Sequence, residues 1–435
     1  MVTDVLAELR WRGLIAQVSE ETSFRAALEA GPVTLYAGFD PSADSLHFGH
    51  LVPLLTLRRF QLAGHHPISL VGGGTGLIGD PSGKSAERVL NTAEVVAAWS
   101  EKVRAQVDRF IDLDGVGRLV DNYEWISQTL TLEFLRDVGK HFTVNYMLAK
   151  ESVASRLGSD EAGISYTEFS YMLLQAFDYL RLYERYGCTL QIGGSDQWGN
   201  ITAGIELVRR THGAHVHALT LPLITNSAGA KFGKTEAGAL WLDPARTSPY
   251  AFYQYFLNAD DRDAVAWLRI FTFFDQAEIE ALDKATQERP QAREAQRALA
   301  RDLTALVHGP AELERVLAAT EALFGSGDLR GLPAETLEQA LEGAPALRLP
   351  AGTALPALPN LLAELGLVRS TSEARDRISQ GGVYVNGSRV EDAAFQPASV
   401  DLLHGRYLVV RVGKRNYGLV AIGAPSGYVI DEPPV

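Results

Sequence analysis

Two short stretches carry side chains that could hold a polyphosphate. His47-Phe-Gly-His50 places two imidazoles three residues apart around a glycine. If the segment opens a helix, both rings share one face of its first turn. Free backbone N–H groups and the positive end of the helix dipole lie there too, and together they favour phosphate. Gly49 lets a ligand approach the backbone closely. The second stretch, Lys231-Phe-Gly-Lys-Thr235, sets two lysines in a glycine-rich segment, 225–238, that reads as a loop able to close over the same phosphates.

The elements around these stretches follow from composition and period. Thr34 to Phe39 is a short apolar run of β-forming residues, a Gly, Asp, Pro and Ser turn comes next, and Leu51 to Phe60 has helical periodicity. The order is therefore strand, loop, helix. Ile68 to Val71 reads as a buried strand leading into Gly72-Gly-Gly-Thr-Gly-Leu-Ile-Gly-Asp80. Gly74 to Gly79 fits G-x-G-x-x-G, but that fingerprint should open a helix and here Asp80-Pro81 comes at once. Gly79 to Ser85 resembles a P-loop with three residues between its glycines where four are required. The remaining reading is a loop at the carboxyl edge of a parallel sheet, where open α/β sheets place ligands. There Lys84 and Arg88 could reach phosphate and Asp80 an ammonium group. Leu190 to Asn200 reads as another strand ending in a glycine-rich turn. Between them lies a helix that Ser165-Tyr-Thr-Glu168 should cap. On it Tyr171, Gln175 and Asp178 are spaced i, i+4, i+7 and share one face. A polar stripe on so apolar a helix needs partners if buried. They are either other protein groups or a small zwitterion carrying a hydroxyl.

The two phosphate-holding stretches resemble the two signatures of class I aminoacyl-tRNA synthetases, HIGH (with Phe48 where Ile is usual) and KMSKS. The KFGKT form of the second is that of bacterial tyrosyl-tRNA synthetases. Tyr36-x-Gly-Phe-Asp-Pro, Gly76-Leu-Ile-Gly-Asp-Pro-Ser-Gly-Lys84 and Gln191-Ile-Gly-Gly-Ser-Asp-Gln-Trp-Gly-Asn200 resemble the same family in the same order. The resemblance spans nearly the whole chain, except 331–355 and the tail after about 423. It implies ATP, with Mg²⁺ in the substrate complex, L-tyrosine and tRNA(Tyr) as partners, and a homodimer. Tyr36 and Asp178 would meet the phenol hydroxyl. Asp80, Tyr171 and Gln175 would meet the α-ammonium group, with Gln197 nearby. Gly38, Asp40, His47, Gly49, His50, Gly193, Asp196, Lys231, Phe232, Gly233, Lys234 and Thr235 would line the ATP site. Catalytic work would fall to Ser42, His47, His50, Lys84, Arg88, Lys231 and Lys234. Lys150, Arg209 and Arg210 would face the tRNA acceptor stem. In two places the chain departs from many relatives. Ala37 stands for Cys, and Pro53 for a hydroxyl residue in the first turn of the helix, where proline is tolerated.

A chain of 435 residues with 46% apolar content suggests two or three domains with full-sized cores. The fold expected is a Rossmann-like parallel-sheet α/β domain over 1–246, followed by an all-α tRNA-docking domain over 247–330. A connector over 331–355 and a small α+β S4-like RNA-binding domain over 356–422 come next, then a mobile tail, 423–435. Net charge is −13, against non-specific nucleic-acid binding by the whole surface. Residues 356–422 reverse that sign: Arg369, Arg375, Arg377 and Arg415 are among eight basic residues against six acidic, 8 − 6 = +2. The amino terminus lacks a signal peptide's basic start and apolar core, and Cys188 is the only cysteine. The expectation is a cytoplasmic protein with no membrane span and no metal-ligand cluster. The rivals are a dinucleotide-dependent oxidoreductase, an RNA-binding protein without catalysis, and a tryptophan-specific synthetase.

Overall fold

The computed structural model describes residues 4–82, 90–150, 153–154, 164–225, 227, 234–235, 238–324 and 328–423. Lys84, Arg88, Lys231, Phe232, Gly233 and the tail lie outside these. The chain forms two compact units, one of residues 1–247 with 259–299 and one of 248–258 with 300–435.

The first unit is built on a six-stranded sheet of β1 (Gln17–Val18), β2 (Thr34–Phe39), β3 (His66–Val71), β4 (Arg118–Asp121), β5 (Cys188–Gly194) and β6 (His217–Leu221). Their order is β1-β6-β5-β2-β3-β4, parallel except where β1 pairs antiparallel with β6. The inner strands are buried on both faces, which is why they read as continuous apolar runs without alternation. Tyr36 pairs with Ile68 on one side and Gln191 on the other. The chain leaves β2 toward β3 and later returns to β2's other edge as β5, so the switch point of the sheet lies between β2 and β5.

The helix Tyr166–Tyr186 starts at its expected cap. Ser165 Oγ accepts from the Glu168 N–H, and Gly187 ends the helix with φ 62°. It packs closely on the helix Trp198–His212, because a Cβ on Gly204 would sit 2.9 Å from the Tyr179 ring. A core of Ile68, Leu70, Trp125, Phe177 and Leu207 lies beneath. The helix Leu51–Leu62, which comes after β2, is held from its far end by arginines. Arg12 and Arg59 donate to the carbonyls of Arg269, Ile270, Thr272 and Phe274, satisfying the open end of the helix Asp261–Phe271. Glu8 pairs with both guanidinium groups. Burial beside Arg12 pulls Arg59 down to about 9.

Two two-residue strands, β7 (Lys234–Thr235) and β8 (Gly238–Ala239), pair antiparallel in the first unit. The second unit contains the helices Pro249–Leu257, Pro310–Phe324 and Ala334–Ala340, then a five-stranded sheet. Its strands are β9 (Ala346–Leu349), β10 (Val383–Val385), β11 (Ser388–Val390), β12 (Tyr407–Val412) and β13 (Asn416–Ile422), in the order β11-β10-β12-β13-β9. The Asn386-Gly387 turn joins β10 to β11 with φ of 48° and 82°, as a two-residue hairpin requires. The helices Leu358–Glu364 and Thr371–Ser379 supply Leu361, Leu362, Ala374 and Ile378 to its core. The stretch expected as a connector carries more structure than its Pro, Gly and Ala content suggests. Ala334–Ala340 is helical, and β9 adds in parallel to β13. That strand forms from long-range pairing, which local composition does not encode.

Candidate active site

Tyr36, Asp40, Asp80, Tyr171, Gln175, Asp178 and Gln197 come together near the carboxyl ends of β2 and β5, at the switch point. Tyr36 is buried in β2 at 1% exposure, and its hydroxyl has no hydrogen-bond partner among the described residues. Burial, then the neighbouring Asp178 carboxyl, push that phenol well above its usual range. Asp178 is also buried. Its Oδ1 accepts from Trp125 Nε1 at 2.8 Å and its Oδ2 from Asn122 Nδ2 at 2.9 Å. Burial nevertheless raises Asp178 to about 8, because two neutral donors do not replace the water it has lost.

Above this pair lies a polar cradle. Tyr171 Oη donates to Asp40 Oδ2 at 2.7 Å, and Thr75 Oγ1 donates to Asp40 Oδ1 at 2.7 Å. Gln197 Nε2 donates to Asp80 Oδ2 at 2.6 Å. Asn200 Nδ2 bonds Gln175 Oε1 at 2.9 Å and lies 3.3 Å from Gln197 Oε1. The stripe on the central helix thus meets the segments that come after β2, β4 and β5, and its residues find protein partners there. The triple glycine after β3 is explained by crowding: a Cβ on Gly72 would fall 1.9 Å from Asp40 Oδ1. The next element is a 3₁₀ turn, Thr75–Leu77, and not the helix a dinucleotide fingerprint needs.

His47 and His50 stand at the mouth. Their segment is a 3₁₀ turn, Phe48–His50, running into the helix Leu51–Leu62. Gly49 N–H donates to His47 Nδ1 and His47 N–H donates to His50 Nδ1, both at 3.1 Å. The acceptor role of His47 Nδ1 leaves the hydrogen of its neutral ring on Nε2, whereas His50 Nδ1 also lies 3.2 Å from the His47 carbonyl, to which it can donate in its other tautomer. The rings lie 3.9 Å apart. Burial, and next the charge His47 would carry, hold His50 well below the usual histidine value, so it stays neutral. Ser42 is exposed on the turn after β2, and Gly38 is exposed at the strand end. Pro53 falls in the helix's first turn as expected, and Ala37 is buried in β2.

Residues 28–325 match the family of tRNA synthetases class I (W and Y). Residues 336–420 match the SYY-like C-terminal domain of tyrosine–tRNA ligase, which therefore begins within the stretch expected as a connector. The chain is 55% identical to the tyrosine–tRNA ligase of Streptomyces coelicolor over 425 residues, 97% of this chain and 99% of that one. It is 53% identical to that of Geobacillus stearothermophilus over 421 residues, 96% and 99%. The chain belongs to the class I tyrosyl-tRNA synthetases. A solved C-terminally truncated mitochondrial tyrosyl-tRNA synthetase of Aspergillus nidulans is 30% identical with TM-score 0.65, covering 72% of this synthetase and 92% of that chain. A tryptophanyl-tRNA synthetase of Encephalitozoon cuniculi, 14% identical with TM-score 0.54, shares the fold.

Three side chains that matter to the synthetase's geometry escape a reading of the sequence: Asn122 and Trp125, which hold Asp178, and Thr75, which holds Asp40. Asn200, in sequence only the end of a motif, closes the cradle. Spacing gives no signal for the first two, since Asn122 and Asp178 are 56 residues apart. The remaining predicted residues fall on several elements. Gly193 lies in β5 against Gln197 and Ile201, and Asp196 is exposed in the turn after that strand. Lys234 and Thr235 form β7. Lys150 Nζ bonds Thr202 Oγ1 at 3.2 Å and lies 4.2 Å from the Tyr146 ring, so it is anchored. Arg209 and Arg210 both pair with Glu206, and Arg210 also reaches the His141 carbonyl. Arg369, Arg375, Arg377 and Arg415 are exposed, with Arg377 lying 3.5 Å from Glu373.

The raised Asp178 sets a pH dependence. Its folded value, about 8, lies above the ordinary carboxylate value near 4. The empty folded protein therefore keeps a proton that the unfolded chain has lost, and stability should fall as pH rises from about 4 to 8. A substrate hydroxyl that donates to Asp178 selects the ionised form. Tyrosine affinity should then rise between about pH 6.5 and 8.5, read by titrating the synthetase's fluorescence at each pH. A flat profile would mean that Asp178 does not accept the phenol proton.

Proposed function

We propose that this synthetase joins L-tyrosine to tRNA(Tyr) with the residues gathered at the switch point. The observation that carries the reading is the Tyr36 hydroxyl, buried beside Asp178 without a hydrogen-bond partner among the described residues. Buried polar groups are nearly always paired, so an unpaired one at a ligand crevice points to a bond the substrate completes. Tyr36 and Asp178 would bond the phenol, and Asp80, Tyr171, Gln175 and Gln197 the α-ammonium group. Tyrosine's carboxylate attacks the α-phosphate of ATP, the α–β phosphoanhydride breaks, and tyrosyl-adenylate and pyrophosphate form. The terminal ribose hydroxyl of the tRNA then attacks the acyl carbon and AMP leaves. Neither step needs a covalent enzyme intermediate. Catalysis is electrostatic, with donors placed where charge grows on the leaving pyrophosphate. His47 would supply an Nε2–H donor and His50 a second imidazole, and Lys84, Arg88, Lys231, Lys234 and Ser42 would act on the same phosphates. Mg²⁺ arrives with ATP. The exposed arginines of the C-terminal domain, Arg369, Arg375, Arg377 and Arg415, would bind the tRNA backbone. The reaction is cytoplasmic, and among the described residues no helix is long and apolar enough to cross a membrane.

The test is tyrosine-dependent ATP–pyrophosphate exchange without tRNA, run also with phenylalanine and tryptophan. Exchange with tyrosine alone supports the pocket. Comparable exchange with phenylalanine would overturn it, because the Tyr36 and Asp178 pairing would then contribute nothing.

A homodimer fits one face of the first unit. Leu130, Leu132, Leu135, Val144 and Leu148 are exposed around the short helices Thr131–Asp137 and Val144–Leu148, Leu132 at 81%. So apolar a stretch on a charged protein marks an interaction surface. Leu132→Asp should shift the assembly toward monomer in sedimentation equilibrium. An unchanged molecular mass would move the interface elsewhere.

A further inference from the structure

The segment beyond the lysine-rich stretch returns directly to the first histidine. Phe48 N–H donates to the Leu240 carbonyl at 2.8 Å, and Leu242 N–H donates to the Leu46 carbonyl at 2.9 Å. His47 and Trp241 form the antiparallel bridge between these bonds. Their rings meet edge to face, with centroids 6.4 Å apart at 66°. Trp241 is itself fixed. Its backbone N–H donates to Thr247 Oγ1 at 3.0 Å, and the Arg246 guanidinium lies 3.5 Å from its ring centroid. Arg246 Nη1 bonds Asp44 Oδ1 at 2.8 Å, while Lys102 Nζ bonds Asp44 Oδ2 at 3.1 Å. The two cations and the ring form a chain that ends on His47.

The His47 side chain is exposed, and its Nδ1 accepts from the Gly49 N–H, which sets the tautomer. An exposed imidazole ordinarily exchanges rotamers in nanoseconds or less. A donor that must meet a developing charge without reorganisation has to be held in place. The indole, rigid and gripped by a guanidinium, is a wall against which the imidazole can be set.

We propose that Trp241, clamped by Arg246 and Asp44, is a positioning residue for His47. It sets the direction of the Nε2–H donor and ties the exit of the lysine-rich stretch to the histidine turn. Acting through His47, the loss of Trp241 should change the rate of adenylate formation and not amino-acid binding. The inference rests on the proposed phosphate-binding role of His47.

Single-turnover formation of tyrosyl-adenylate by the full chain separates the two ideas. Trp241→Leu should slow the step about ten- to a hundredfold, the size expected when a catalytic group is displaced by about 1 Å. The tyrosine KM and the unfolding midpoint should stay close to those of the parent. In a His47→Ala background the same substitution should cost less than about twofold more, since coupled groups are non-additive. Full additivity, or no effect of Trp241→Leu alone, overturns the positioning role. A His47→Ala protein with the parent's rate overturns the phosphate-binding reading beneath it. Arg246→Ala gives a second handle that leaves the indole in place. It should slow the step several-fold, and Arg246→Lys, which keeps a cation over the ring, should recover most of the loss. Equal losses in Arg246→Ala and Arg246→Lys overturn the clamp.

Discussion

Asp178→Asn will raise the tyrosine KM in ATP–pyrophosphate exchange by at least about a hundredfold, with the ATP KM within a few-fold of the parent's. The side chain is almost isosteric, so packing over Trp125 and Tyr36 persists. Hydrogen-bonding capacity is the property that changes. Trp125 Nε1 and Asn122 Nδ2 both donate to the carboxylate. An amide offers one acceptor oxygen and turns its NH₂ toward a donor. A bond from the substrate phenol to a charged acceptor contributes about 1.5–3 kcal/mol, and leaving its partner unpaired in a buried site costs about 1–3 kcal/mol more. Their sum, at about 1.4 kcal/mol per factor of ten, gives the hundredfold floor. Asn122→Ala and Trp125→Phe remove one donor each and should act in the same sense at smaller size. A tyrosine KM unchanged in Asp178→Asn would show that the phenol binds elsewhere.

Replacing either histidine should act on the other kinetic parameter. His47→Ala and His50→Ala are each expected to lower the rate of adenylate formation about 10²–10³-fold, the usual cost of deleting one donor aimed at developing charge. The tyrosine KM should hardly move, because neither ring reaches the Tyr36–Asp178 end of the crevice. Because His50 is held neutral by burial and by its neighbour, the rate should show no His50 titration between about pH 6 and 8. A His47→Ala change that raised the tyrosine KM while leaving the rate intact would place the ring against the amino acid and defeat the assignment.

The two effects divide along the sheet. Tyr36 and Asp178 lie deep against the core, where desolvation makes each bond to substrate count heavily. The histidines lie at the mouth, where the helix start and backbone contacts hold both rings. On the proposed assignment, substrate selection and transition-state stabilisation fall to different elements.

Much of this is legible in the sequence because it is local. Strand, loop and helix around His47 come from period and turn residues. Ser165 and Gly187 bound the central helix, and its i, i+4, i+7 spacing alone puts Tyr171, Gln175 and Asp178 on one face. The Asn386-Gly387 hairpin is equally local. Tertiary structure decides the rest, since those facts depend on which distant segments meet. No spacing rule links Asn122 and Trp125 to Asp178, Thr75 to Asp40, or Trp241 to His47. The first two links form only when β2, β3, β4 and β5 assemble in their crossed order, and the third when residues 240–242 pair with 46–48. The pairing of β9 with β13 likewise turns an ordinary Ala-Leu-Arg-Leu into a strand. The unpaired Tyr36 hydroxyl belongs to the same class. Sequence places a tyrosine in a strand, but only the packed sheet buries it and leaves its hydroxyl without a partner among the described residues, the feature on which the proposed phenol contact rests.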